Sequence, residues 1–121
     1  MPTQADVDAF VAQVVSGDHV GAIADWYADE ASMQENQGEP RVGREILMAH
    51  EAAALARSAH VETELLDPPM IQGDTVAIHW RFTFTSRAGV KRSLEEIAWQ
   101  TWRGRKVWRE TFHYDPRQMT G

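Results

Sequence analysis

Apolar residues fall at helical spacing in the first half of the chain and at strand spacing in the second. Val7, Phe10, Val11, Val14 and Val15 recur at intervals of three and four, the stripe of an amphipathic helix. Thr3 followed by Asp6 has the form of a capping box, and Gly17 closes the segment. Asp18 predicts the cap of a second helix carrying Ile23, Trp26 and Tyr27 on one face. A short strand from about Ser32 to Glu35 comes next, followed by a loop at Gln37-Gly38-Glu39-Pro40. Gly43 then introduces an alanine-rich third helix from about Arg44 to Ala59.

From His60 onward the period changes to two. Val76, Ile78, Trp80, Phe82 and Phe84 alternate with Ala77, His79, Arg81, Thr83 and Thr85, which predicts a long half-buried strand. His60 to Leu66 is a shorter strand stopped by Asp67-Pro68-Pro69. Lys91 to Trp102 and Lys106 to Tyr114 complete the set. Turns at Gln72-Gly73-Asp74, Arg87-Ala88-Gly89 and Arg103-Gly104-Arg105 each carry the glycine that tight turns favour. Helices followed by a strand meander predict an α+β fold, with helices packed on one face of an antiparallel sheet.

Composition narrows the function. A chain of 121 residues predicts one domain, residues 1–121. No apolar stretch approaches the roughly 18 residues that cross a bilayer, and the start has no secretory pattern. With no cysteine, thiolate nucleophiles and zinc–thiolate sites are excluded, and a cytoplasmic location is expected. Net charge is −6, with 3 basic and 10 acidic residues through His60. Such a balance repels phosphate backbones, so no nucleic-acid partner is expected. The basic clusters Arg87, Lys91, Arg92 and Arg103, Arg105, Lys106 fall at hairpin turns and read as solvated charges. No dinucleotide fingerprint or phosphate loop implies a cofactor, and no histidine spacing implies a metal.

The segments GDHVGAIADWYADEASMQEN, GEPRVGREILMAHE and GRKVWRETFHYDP, in this order among these turns, resemble the nuclear-transport-factor-2-like superfamily. Within it the chain resembles the SnoaL-like and ketosteroid-isomerase-like proteins, from about Phe10 to Pro116. The resemblance implies a cystatin-like cone: a curved antiparallel sheet wrapped around three N-terminal helices, with an apolar cavity at its wide end. This fold serves isomerases, cyclases, dehydratases, epoxide hydrolases and proteins without catalysis, so it does not by itself assign a reaction.

In ketosteroid isomerases a Tyr-Ala-Asp-x-Ala stretch leads, eight positions after the tyrosine, to the proton-shuttling base, and a Glu-Pro-Arg-x-Gly stretch comes after that base. Counting from Tyr27 places Glu35 at the base, and Glu39, Pro40, Arg41 and Gly43 match the second stretch. An apolar pocket would raise the Glu35 pKa and suit it to move a proton near neutral pH. The family's oxyanion tyrosine maps to Phe10 and its protonated aspartate to Ala98, neither of which donates a hydrogen bond. True ketosteroid isomerase activity is therefore not expected. Limonene-epoxide-hydrolase chemistry needs an Asp-Arg-Asp set on late strands, where this chain has Glu95, Glu96 and Glu110.

Two further residues are candidates beside Glu35. SnoaL-like cyclases use a carboxylate on a late strand, and Glu110 shares parity with Phe112 and Tyr114 there. Its alternative is an ion pair with Arg81, Arg105 or Arg109 on the sheet rim. His50, four residues after Ile46, is expected on the cavity side of the third helix, as a core histidine or as an acid/base partner of Glu35 or Glu110. His79 is expected outside, and His19, His60 and His113 show no spacing with an acid. The resemblance implies a small hydrophobic ligand, for which Phe10, Trp26, Met33, Trp80, Phe82, Phe112 and Tyr114 are the expected lining. Tryptophans of both parities between Trp99 and Trp108 predict some on the outer sheet face, suited to a homodimer.

Three functions stay open on these grounds. The first is an isomerase, cyclase or lyase acting on a hydrophobic molecule, with Glu35 as base and Glu110 or His50 as partner. The second is ligand binding without chemistry in the same pocket. The third is a protein-interaction module of the same fold.

Overall fold

The computed structural model describes residues 1–120 as three helices on one mixed, seven-stranded sheet. Helices α1 (Gln4–Val15) and α2 (His19–Trp26) come first, then strands β1 (Tyr27–Glu35) and β2 (Arg41–Val42), then helix α3 (Arg44–Ala56). Strands β3 (His60–Leu65), β4 (Met70–Gln72), β5 (Thr75–Thr85), β6 (Lys91–Arg103) and β7 (Lys106–His113) complete the sheet. Their order is β2-β1-β7-β6-β5-β3, with β4 also on β5, so the sheet is curved and open at β2 and β3. None of the helices is long and apolar enough to cross a membrane.

The helix starts form as their side chains dictate. Thr3 accepts from the Asp6 N–H while the Asp6 carboxylate accepts from the Thr3 N–H, both at 3.1 Å. Asp18 caps α2 through the Gly21 N–H at 3.1 Å. A Cβ on Gly21 would lie 2.2 Å from that carboxylate, which explains a glycine inside a helix. Gly43 opens α3 at φ +107°, a backbone region that favours glycine.

Three expectations are corrected. Tyr27 is the first residue of β1 and not part of α2, because its extended backbone (ψ 142°) ends the helix after Trp26. The third helix stops at Ala56, where the chain must turn to reach β3. The sheet is not wholly antiparallel: β1 runs parallel to β7, the arrangement that brings the N-terminal strand beside the last one.

Alternation builds the core. Val76, Ile78 and Trp80 of β5 face Val7, Phe10 and Val11 of α1 and Ala22 and Ile23 of α2 in one buried cluster. On β6, Leu94, Glu96, Ala98, Gln100 and Trp102 are all buried and their neighbours face outward. On β7 strict alternation breaks, because Thr101 pairs with Arg109 but Trp102 pairs with Val107, leaving Trp108 as an extra residue. That bulge lets Val107 and Glu110, three apart, both point inward. Trp108 stays on the outside with the Arg103 and Arg109 guanidiniums 3.7 and 3.9 Å from its ring centre.

Candidate functional site

Between the helices and the inner sheet face lies a cavity of about 180 Å³, open to solvent on one side. Its wall is mostly apolar, with Phe10 and Ile23 from the helices, Met33 from β1, and Trp80, Phe82 and Phe112 from the sheet. An apolar cavity of about 150 Å³ holds a benzene ring, so a single ring fits here with room at the mouth. Five of the seven expected lining residues are on that wall. Trp26 is not: it packs edge-on to Phe10 and its indole donates to Gln13 at 3.0 Å. Tyr114 is not lining either, and its hydroxyl instead holds Glu35 at 3.0 Å.

Four carboxylates face this space: Glu35, Glu51, Glu96 and Glu110. Glu35 sits at the end of β1 with its side chain nearly half exposed. Partial burial pushes its carboxyl up, but hydrogen bonds from Arg41 (3.0 Å) and Tyr114 and the charges of Arg41 and His50 outweigh this, holding it below its usual value. The expectation of a raised Glu35 pKa is therefore overturned. A carboxylate beside a guanidinium at the rim is stabilised in its charged form more than it is desolvated.

Glu110 behaves as Glu35 was expected to. It is 3% exposed, and none of the expected rim arginines touches it. Arg81 pairs with Glu95, Arg105 with Asp6, and Arg109 stacks on Trp108. Instead Tyr27 donates to one Glu110 oxygen and Gln100 to the other at 2.7 Å, while the Trp102 indole donates to Gln100 at 2.9 Å. Burial lifts the Glu110 pKa to about 7 although both donors pull it down. Tyr27 is in turn held well above its ordinary value by burial and by the Glu110 charge. Almost fully buried and bonded at both oxygens, Glu110 anchors a network, whereas Glu35, also bonded at both, stays nearly half exposed at the rim.

Sequence reasoning did not single out Glu96 as a site residue, yet it is the freest buried acid. It is 8% exposed on the inner face of β6 and makes no hydrogen bond to the described residues. Burial, with the charges of Glu110, Glu51 and Glu35, pushes it up to about 8, so it holds a proton at neutral pH. It lies on the same strand face as buried Ala98, two residues earlier. The protonated acid that Ala98 cannot provide is thus present at Glu96. Ile97 and Trp99 on the opposite parity hid this, because both faces of the strand read as apolar.

His19 was also missed, since its acid partner comes from another helix. Its Nδ1 lies 3.3 Å from Glu51 of α3 and its Nε2 2.8 Å from the Thr63 hydroxyl of β3. It is 7% exposed and stacks edge-on to Phe82 at 5.6 Å. His50 does reach the cavity wall, and its charge acts on Glu35, but it forms no hydrogen bond with Glu35 or Glu110. His79 lies on the outer face, 2.7 Å from Asp67, as its parity predicted. Glu35, His50 and Glu110 therefore share a cavity without forming one bonded triad.

The comparisons with known proteins agree with this fold. A family model described as SnoaL-like domain matches residues 7–110. A putative SnoaL-like polyketide cyclase from Mesorhizobium loti superposes with TM-score 0.78 at 22% identity, over 94% of this chain and 100% of that one. A protein of ketosteroid-isomerase-like fold from Catenulispora acidiphila, solved with trimethylamine, gives 0.75 at 18% identity, over 91% and 85% of the two chains. A cystatin-fold protein from Novosphingobium aromaticivorans gives 0.76 at 23%, over 93% and 97%. At these identities the structures show a shared fold and no more, and no curated protein matches the chain by sequence. The α+β cone around a carboxylate-lined cavity, and a family match over most of the chain, lead to one conclusion: the chain belongs to the SnoaL-like domain family.

Proposed function

We propose that this chain binds a small, largely apolar ring compound in the cavity and converts it by proton transfer, with Glu96 as acid and Glu35 as base. The observation that carries the reading is a pair of carboxyls on one cavity in opposite surroundings, one buried without a partner and one at the rim bonded to Arg41 and Tyr114. Glu96 is buried, unpartnered and protonated up to about pH 8, while Glu35 is held ionised by Arg41 and Tyr114. Environments that push two acids apart in this way assign one as donor and the other as acceptor. In an isomerase-, cyclase- or lyase-type step, Glu35 takes a proton from carbon while Glu96 delivers one to a basic oxygen or nitrogen of the same molecule. Glu110 raises the Glu96 pKa by its charge and is itself fixed by Tyr27 and Gln100. Arg41 and Tyr114 steady Glu35, and His50 stands on the same cavity wall. Phe10 offers no donor on the cavity wall, so a ketosteroid isomerase's two-donor oxyanion site is not formed. The polyketide cyclase name carried by the M. loti relative fits a small ring-forming substrate.

The test is carbon-bound hydrogen exchange. Deuterium uptake into 1-indanone and phenacylamine, followed by NMR in heavy water, should exceed the buffer rate for at least one probe. Glu35→Gln and Glu96→Gln should each lower that rate by about tenfold or more, general acid–base groups being worth on the order of 10²–10⁴. Probe binding with exchange no faster than buffer would reject the chemistry and leave ligand binding alone.

A further inference from the structure

The basic atom that meets Glu96 is either oxygen or nitrogen, and the charges around the cavity decide between them. From β1 come Glu35 and Tyr27, from β2 Arg41, from α2 His19, from α3 His50 and Glu51, and from β7 Glu110. Helix α1 and strand β5 contribute only apolar side chains, among them Phe10 and Trp80.

Most of these groups are already satisfied. Arg41 is bound to Glu35 at 3.0 Å and His19 to Glu51 at 3.3 Å. Both Glu110 oxygens accept hydrogen bonds, from Tyr27 and Gln100. Three groups on the wall keep an open position: Arg41 through its buried, unpartnered Nε, His50, and Glu96, which is 8% exposed and without a hydrogen-bond partner among the described residues. A buried, unpaired carboxyl is costly, and its vacancy is for a donor. Near pH 8, where Glu110 is ionised and Glu96 begins to be, the carboxylates outweigh Arg41, so a cation is drawn in and an anion is repelled. Beside Glu96 on the same sheet face, starting from its cross-strand neighbour Trp80, runs an aromatic row with Trp80 and Phe82 ring centres 5.8 Å apart and Phe82 and Phe84 6.5 Å apart. Aromatic rings attract organic cations while packing against their apolar parts.

We propose that the ligand of this cavity is a nitrogen base, bound as a cation with its N–H against Glu96 and its ring along Trp80, Phe82 and Phe84. The inference rests on the cavity being a ligand site, as the proposed function holds, and adds the chemical class of the ligand. The proton balance is simple. A neutral amine or imine takes the Glu96 proton to give an ammonium or iminium beside the carboxylate. A ligand that arrives already protonated displaces that proton to solvent. An iminium placed here suits the same acid/base pair, since Glu35 can then take the proton from the adjacent carbon.

The experiment is isothermal titration calorimetry of the full chain with benzylamine, benzyl alcohol and benzoate, which share one ring and differ in charge. At about pH 8 benzylamine should bind at least tenfold tighter than benzyl alcohol, and benzoate should not bind. Lowering the pH to about 6 should weaken benzylamine, because Glu96 is protonated below its pKa, and leave benzyl alcohol unchanged. Near pH 7, buffers of different ionisation heat should report about one proton released per benzylamine bound, a readout that needs no variant. Glu96→Gln should bring benzylamine down to the level of benzyl alcohol. Equal binding of amine and alcohol, no proton release, or a preference that survives Glu96→Gln would overturn the inference. If benzyl alcohol binds without an amine preference, the ligand cavity stands and the cation does not. If no probe binds, both readings fall.

Discussion

Replacing Glu96 with Gln should remove the larger of two losses of folding stability that rising pH causes, the other being that of Glu110. In the folded chain the Glu96 carboxyl titrates at about 8, raised from 4.5 first by burial and then by the Glu110, Glu51 and Glu35 charges. Unfolding returns it to its ordinary value. Between the two values the folded state keeps a proton that the unfolded state has lost, so stability is complete below about pH 4.5 and drains away as pH rises through 8. One proton difference is worth about 1.4 kcal/mol per pH unit, which makes about 4 kcal/mol between about pH 5 and pH 8. A natural domain holds only about 5–15 kcal/mol in total, so the effect is large. At about 2.1 cal/mol/K of unfolding entropy per residue, 121 residues turn that difference into roughly 15 °C of Tm.

Glutamine matches the size of the protonated acid but cannot ionise. Its unpaired amide costs about 1–2 kcal/mol at every pH. The two stability curves should therefore cross: wild type is the more stable near pH 5, and Glu96→Gln is more stable by about 2–3 kcal/mol near pH 8. Glu110, at about 7, slopes both proteins in the same direction, so the difference between them reports Glu96 together with its coupling to Glu110. Urea unfolding followed by tryptophan fluorescence at several pH values measures it. A wild-type-to-variant gap constant to within about 0.5 kcal/mol from about pH 5 to 8 would refute the reasoning, because Glu96 would then titrate alike folded and unfolded.

Tyr27→Phe should cost about 1–3 kcal/mol in the same assay, since it leaves a buried Glu110 oxygen without its donor. It should also raise the Glu110 pKa above about 7, which carbon-detected NMR of the carboxyl reads directly; an unchanged titration would sink the network reading. We also propose that the outer sheet face pairs with a second copy, because Trp99 (52% exposed) and Ile97 (36%) lie there side by side in strand parity. Light scattering at micromolar concentration should give a dimer that Trp99→Glu splits, and a monomeric wild type would rule the dimer out.

Much of this protein was legible in its amino-acid order. The three helices, the four long strands and the glycine turns arise from local periodicity and capping, which act within a few residues. Thr3 with Asp6 formed the box their spacing predicts, and the alternation of Val76 to Trp80 set the inner face of β5. The short strands β2 and β4 were not legible, because two or three residues carry no period and their pairing comes from neighbours distant in sequence.

The site divides along the same line. The family resemblance, aligned on Tyr27, placed Glu35 at the cavity, and parity placed Glu110 there, but neither could give a protonation state. That depends on which charges and donors the fold brings within reach. Arg41 and Tyr114 converge on Glu35 from six residues after it and from the far end of the chain, so the expected base is held ionised at the rim. A bulge at Trp108 and the parallel pairing of β1 with β7 bring Tyr27 and Gln100 onto Glu110. His19 gains Glu51 only when α2 lies against α3. Local sequence determined the helices, the strands and the carboxylates on offer. Only the tertiary structure decided which of them keeps its proton, because desolvation and charge act through space and not along the chain.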